Sequence, residues 1–364
     1  MGNWWTSVRT SGERLHRSAG LLVRYPFEFW HYGDSIGFEG LLAASELLGE
    51  PQYEGFVHGA LRAWAARREP FRELDNTTPG HAICLTYERT GDEAILEGAR
   101  ALASFLASRR RVEGAFVSFE RVPLRRPYSG EPLSSEEEAL LDAPGAGVFV
   151  DCLHFDPPFF AHLGRLTGDD RLLELAVEQA LAHLRLLQDE SGLVWHFWLE
   201  RTRKRYGYGW ARGQGWVLLG LLDLLQHVEH DEIRSAFLSL AEALASFQQP
   251  DGGWPSVAHD PASGHESSTA AFAAAGFAAG VERGLLPDAF RERARAAWEH
   301  VRVRVRDDGA LAGVSAAVWA STRASHYPRV PTGFVVPWGQ GALLLAANRL
   351  SEDVQREGRW RRSV

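Results

Sequence analysis

Short polar turns opening one-sided helices recur along the chain. Thr90-Gly91-Asp92 precedes EAILEGARALASFL, and Thr167-Gly168-Asp169 precedes DRLLELAVEQALAHL. Leu48-Gly49-Glu50 leads into PQYEGFVHGALRAW, His230-Asp231 into EIRSAFLSLAEALASF, and Leu286-Pro287-Asp288 into AFRERARAAWEHV. Asp and Pro stand where helix starts favour them. Leu173, Ala176, Val177, Ala180, Leu184 and Leu187 form one apolar stripe at the helical period, as do Phe290, Ala294, Ala297 and Val301. Between these lie segments of a second kind, apolar or small on most faces. They span 34–48, 76–90, 156–166, 213–228, 267–281 and 339–350, and two of them open alike with Gly213-Gln214-Gly215 and Gly339-Gln340-Gly341. A helix apolar nearly all round belongs inside. Six inner segments alternating with outer ones predict an all-α fold, a closed (α/α)6 barrel or toroid, over an open helical solenoid.

One stretch breaks the rhythm. Near residues 110–150, GAFVSFERV reads as a strand, followed by a Pro- and Gly-rich loop and a short acidic helix capped by Ser134 with Glu137. A long irregular insertion in a compact domain is usually functional, and this one is expected to fold over one end of the barrel. The domain reading is therefore an N-terminal helical segment, 1–29, forming part of the barrel, a catalytic domain over 30–350, and a flexible tail over 351–364.

Inner helices of a toroid run parallel, so their N-termini, with free N–H groups and the positive dipole end, gather at one mouth. The residues leading into them are Trp30, His31 and Asp34, then Asp75 and Asn76, then Asp151, His154 and Asp156. Trp210, Arg212, Gln214 and Trp216 follow, then His265, Glu266 and Ser267, and finally Trp338 and Gln340. Carboxylates move protons, aromatic faces stack on rings, and amides bind hydroxyls, so this set suits a sugar. An aspartate before a helix is ordinarily an N-cap, and Asp34, Asp75 and Asp156 fit that role. Asp151 fits it less well. It lies in the apolar run Gly147-Val148-Phe149-Val150-Asp151-Cys152-Leu153, where desolvation would raise its pKa toward general-acid use.

Composition narrows the field further. The chain has 364 residues, 45% hydrophobic, with 39 basic against 47 acidic residues and a net charge of −8. That balance argues against nucleic acid and anionic membranes as partners. Lys204 is the only lysine, which argues against a P-loop or a Schiff-base enzyme. Two cysteines cannot build a disulfide scaffold or a four-cysteine zinc site. No H-E-x-x-H occurs, and His227 and His230 fall in a polar turn where solvation is expected, so no metal is expected. The first twenty residues lack an apolar signal core, which gives a cytoplasmic expectation. Thirteen tryptophans raise the weight of carbohydrate binding. Gly33-Asp34-Ser35-Ile36-Gly37 matches G-x-S-x-G, but that pattern needs a strand-to-helix turn in a parallel sheet, and no βα alternation is present.

VDCLHFDPPFFAHLGRLTGDDRLLELA, the Gly-Leu-Val-Trp-His196 segment, WARGQGWVLLGLLDLL, DNTTPGHAICLTYERTGD and PWGQGALLLAANRL resemble the unsaturated glucuronyl and rhamnogalacturonyl hydrolases, glycoside hydrolase families 88 and 105. The resemblance runs from about residue 30 to 350 and implies an (α/α)6 barrel. It also implies hydration of the vinyl ether in a Δ4,5-unsaturated uronic acid at the non-reducing end of lyase-generated oligosaccharides. In that reading Asp151 protonates C4 and activates water, and Asp75 is the second active-site aspartate. His196 and Gln214 contact the unsaturated sugar, and Trp30, Trp210, Arg212, Trp216 and Trp338 wall the pocket. The family uses no cofactor. The implied partner is a small oligosaccharide, and a homodimer is left open. Leu74 stands where the glucuronyl hydrolases carry a histidine. The alternatives are another (α/α)6 sugar enzyme, either an inverting glycosidase or an epimerase, and a non-catalytic sugar-binding toroid.

Overall fold

A computed structural model describes residues 3–27, 31–67, 70–120 and 123–350. Within them, six inner helices form a ring. These are α2 (Asp34–Leu48), α4 (Gly80–Thr90), α7 (Cys152–Thr167), α9 (Ala211–Leu224), α11 (Ser267–Glu282) and α13 (Pro337–Leu350). Each packs on the next, and α13 returns onto α2, so the toroid is closed. The outer layer is α1 (Asn3–Val23), α3 (Pro51–Ala65), α5 (Glu93–Ala107), α8 (Asp170–Leu187), α10 (Asp231–Ser246) and α12 (Phe290–Arg302). Helix α1 packs against α13 and α2. No helix among the described residues is long and apolar enough to cross a membrane.

The two helix classes follow from their sequences. In α11, every residue from Ser267 to Val281 is buried, whereas α12 buries only Phe290, Ala294, Ala297, His300 and Val301. The Thr-Gly-Asp turns divide their labour between two helices. Gly91 and Gly168 end α4 and α7 in the left-handed conformation, and Asp92 and Asp169 cap α5 and α8 by accepting from Ala94 N and Arg171 N. Four inner helices begin away from the sequence estimate, α9 and α13 by two residues and α7 and α4 by four. Helix α7 starts at Cys152, one turn before Asp156, with Pro157 and Pro158 inside it. Helix α4 starts at Gly80, because Glu73–Thr77 forms a separate 3-10 turn ahead of Pro79.

The insertion is less regular than a strand followed by a helix. Within GAFVSFERV the described strand is the short β2 (Ala115–Phe116), which pairs with β1 (Arg111–Val112) around Glu113 and Gly114, both at positive φ. The chain then turns to bridge Phe119 to Gly147. Helix α6 (Ser135–Asp142) carries the expected capping box of Ser134 and Glu137. A three-stranded antiparallel sheet, β3 (Gly147–Phe149), β4 (Phe197–Leu199) and β5 (Lys204–Tyr206), borders the mouth. A further hairpin is made by β6 (Pro255–Val257) and β7 (Asp260–His265). The insertion docks on the 315–330 segment through Arg125 N to Ala320 O at 2.8 Å and Tyr128 N to His326 Nδ1 at 3.3 Å. Together they roof the end where the inner N-termini meet.

Candidate active site

A cavity of about 210 Å³ opens at this mouth, lined by residues that include His31, Tyr32, Asn76, Phe149, Asp151, Phe155, His196, Trp210 and Trp319. Asp151 and His196 come together through the sheet. Asp151 follows β3, His196 precedes β4, and Val150 N donates to His196 O at 2.9 Å. His196 Nε2 then lies 3.9 Å from Asp151 Oδ2.

Asp151 stands at the N-terminal end of α7, 7% exposed. Burial among apolar side chains raises its pKa to about 6, against the opposing pull of a backbone hydrogen bond, Arg212 and His154. That is the shift its apolar run implied. His196 is pushed well below the usual histidine range by burial, then by His326 and Arg212, so its ring is neutral. Its Nδ1 lies 2.8 Å from the hydroxyl of Tyr327, whose pKa is raised well above normal by burial and by Asp151. Trp210 packs on the His196 ring with centroids 4.1 Å apart. A carboxyl whose pKa is raised toward neutrality, beside an uncharged imidazole and aromatic walls, can protonate an electron-rich carbon or oxygen.

Not every residue singled out by sequence reaches the cavity. Trp30 lies outside the described residues. Asp75 is buried, with Oδ1 held by Arg67 Nη2 at 2.6 Å and Oδ2 by Arg72 N at 2.6 Å, and its neighbours Asn76 and Thr77 line the cavity instead. Arg212 is fully buried behind the wall. Its guanidinium bonds Ser315 O at 3.0 Å and Ala316 O at 3.0 Å and pairs with Glu266 at 3.5 Å, while its charge is felt at Asp151. Gln214 is a clamp. Its Oε1 accepts from Val194 N at 2.8 Å, and its Nε2 donates to Val194 O and Trp210 O, both at 3.0 Å. Trp216 is buried between His154 and Phe272, at ring distances of 5.0 and 4.7 Å. Trp338 stacks on Tyr32 at 5.2 Å and donates to Ser315 O at 2.9 Å. The backbone climbs about 100° of helix per residue from Trp210, so successive side chains of that motif cannot share one wall.

The sequence analysis did not single out Trp319 or Tyr327. Both arrive on the 315–330 segment, Trp319 in irregular chain and Tyr327 in a short 3-10 turn (Ala324–Arg329), neither long enough to show a period. Trp319, 42% exposed, has φ of 47°, a left-handed conformation at the cavity's lip. His227 differs from its expected solvation, because its ring stacks on that of His162 at 4.4 Å.

Comparison with known proteins agrees with this architecture. The family model described as Glycosyl Hydrolase Family 88 matches residues 9–351. The chain is 24% identical over 327 residues to the unsaturated rhamnogalacturonyl hydrolase YesR of Bacillus subtilis (strain 168), covering 86% of this chain and 88% of that protein. Among solved structures, a possible family 105 member from Klebsiella pneumoniae superposes with a TM-score of 0.78 at 18% identity, covering 94% of this chain and 92% of that one. The unsaturated glucuronyl hydrolase of Bacillus sp. GL1 superposes with a TM-score of 0.71 at 18% identity, covering 96% and 97%.

Proposed function

The chain belongs to glycosyl hydrolase family 88, and from that premise we propose that it releases a Δ4,5-unsaturated uronic acid from oligosaccharides by hydrating the vinyl ether, with Asp151 as the acid. The observation that carries this reading is the placement of Asp151 in an apolar cavity, where burial raises its pKa to about 6. A relative that covers nearly the same length is an unsaturated rhamnogalacturonyl hydrolase, which supports the substrate class.

In the first step the Asp151 carboxyl gives its proton to C4. The double-bond electron pair forms the new C–H bond, and the positive charge at C5 is shared with the ring oxygen. The Asp151 carboxylate so formed takes a proton from water as the water oxygen bonds to C5. The resulting C5 hemiketal opens by breaking its ring C–O bond, and the hemiacetal left at C1 collapses to expel the attached sugar as an alcohol. Water is the only co-reactant. In the tautomer that accepts from the Tyr327 hydroxyl at Nδ1, His196 carries its proton on Nε2 and can donate it to the uronate. An adjoining open cavity of about 400 Å³ shares Asn76 and Phe119 and adds Glu73, Arg109, Arg110 and Glu120, a polar wall for the remaining sugar.

Among the described residues lining the cavity, Asp151 is the only carboxylate. Inverting hydrolysis of a saturated glycoside needs two free carboxyls roughly 6.5–9.5 Å apart across the bond. Asp75 has both oxygens engaged, which favours hydration. The test follows the ultraviolet absorbance of lyase-generated unsaturated disaccharides. Wild type should remove it, and in D2O should leave deuterium at C4, while Asp151→Asn should do neither. Turnover of saturated nitrophenyl glycosides with no loss of the unsaturated band would overturn the assignment.

A further inference from the structure

We propose that His81, His162 and His227 form a binding site for a divalent transition-metal cation, zinc foremost, at the end of the barrel opposite the cavity. His81 lies on α4, His162 on α7, and His227 in the turn after α9, and one ring nitrogen from each lies within 4.8 Å of the others. His81 and His162 are 6% and 2% exposed. His162 Nδ1 and His227 Nε2 have no hydrogen-bond partner, while His162 Nε2 and His81 Nδ1 meet only nearby carboxylates and make no hydrogen bond of good geometry. Buried imidazole nitrogens without partners are uncommon, and those of His162 and His227, with the His81 ring beside them, have a shared remedy in a cation.

The surroundings fit that remedy. Carboxylates stand behind the rings as outer partners do in metal sites. Glu88 Oε2 lies 3.1 Å from His162 Nε2, and Glu39 and Asp223 lie 3.7 and 3.8 Å from His81 Nδ1. Zinc bonds of about 2.0–2.1 Å put tetrahedral ligand atoms roughly 3.4 Å apart, so modest side-chain rotation closes the triad. Imidazole ligands select zinc and its neighbours over calcium or magnesium. A cavity of about 180 Å³ lined by His81, Glu39 and Asp223 gives an ion access from this end. His162 is roughly 16 Å along the helix from Asp151, so the role is to tie three segments together and not to join the hydration.

Chelator-treated full-length protein is titrated with Zn²⁺ by calorimetry and with Co²⁺ by visible absorption. The expected result is one saturable site, the intense cobalt bands of a tetrahedral site, and a higher Tm with zinc. Outer-partner changes alone weaken metal sites roughly 10–100-fold, so His162→Gln and His227→Gln should each weaken binding at least about 100-fold. His227→Gln, in a surface turn, should keep wild-type circular dichroism and turnover, and it decides the matter if His162→Gln fails to fold. Absence of saturable zinc binding in wild type overturns the site, and so does undiminished binding in His227→Gln.

Discussion

Asp151 sets activity against stability in one side chain. Its folded pKa of about 6 lies above the ordinary 3.8, so the folded protein holds this proton more tightly than the unfolded chain does. The contribution is therefore fully present below about pH 4 and is lost as pH rises through 6, a change of about 3 kcal/mol in order of magnitude. Asn cannot ionise, so Asp151→Asn should be inactive yet more stable than wild type by about 2–3 kcal/mol at pH 7.5, with the difference shrinking toward pH 4. Urea titrations of both proteins at pH 4, 5.5 and 7.5 measure this, and a pH-independent difference would refute the buried-acid account. For the same reason wild-type kcat/KM should fall as pH rises above about 6, while His196, held far below its usual range, adds no step there. Asp151 was legible in the sequence because a lone carboxylate stands out against the apolar run that surrounds it. Trp319, which lines the cavity, and Tyr327, which meets His196, were not, since irregular chain and a single 3-10 turn carry no periodic mark of which side chain will face the site.

At the scale of elements, the repeated Gly-Gln-Gly openings look like two halves of a binding signature, and the structure gives both glutamines another task. Gln340 mirrors Gln214. Its Oε1 accepts from Leu311 N at 2.8 Å, and its Nε2 donates to Gly309 O at 2.8 Å and Ser18 Oγ at 2.7 Å. Each amide fastens the start of an inner helix to the loop before it, and the Gln340 clamp adds outer helix α1. Gln340→Ala would strand a buried N–H and carbonyl, with an expected loss of about 2–3 kcal/mol. Because no cavity-lining residue bonds Gln340, KM and kcat should stay near wild type. Denaturant unfolding together with the ultraviolet assay separates the two effects, and a large fall in kcat with unchanged stability would return Gln340 to the site. The long helices were legible because their periods run over many residues. The β3–β5 sheet that joins Asp151 to His196 was not, because three-residue strands are too short to show alternation.

At the scale of the whole molecule, what distinguishes this fold from an open solenoid is the contact between α2 and α13, and glycine makes it. A Cβ on Gly341 would meet Ile36 O at 2.1 Å, and one on Gly40 would meet the Gly341 Cα at 2.5 Å. Both obstacles are backbone, which cannot swing aside as a side chain can. Gly341→Ala should therefore force the closing helices apart, at about 3 kcal/mol or more. On the outer helix α3, Gly55 has nothing within 4 Å of an added Cβ. The same change there should stabilise by about 0.5–1 kcal/mol through helix propensity alone. The opposite signs separate a closure effect from a general glycine effect. The form of the transition matters as much as its midpoint. In a closed ring, α13 has neighbours on both sides and cannot be shed alone, so tryptophan fluorescence and circular dichroism should report one coincident unfolding transition in Gly341→Ala as in wild type. A separate early transition confined to part of the signal would mean that the last helix frays like the terminal repeat of an open array, and that the ring is not the cooperative unit.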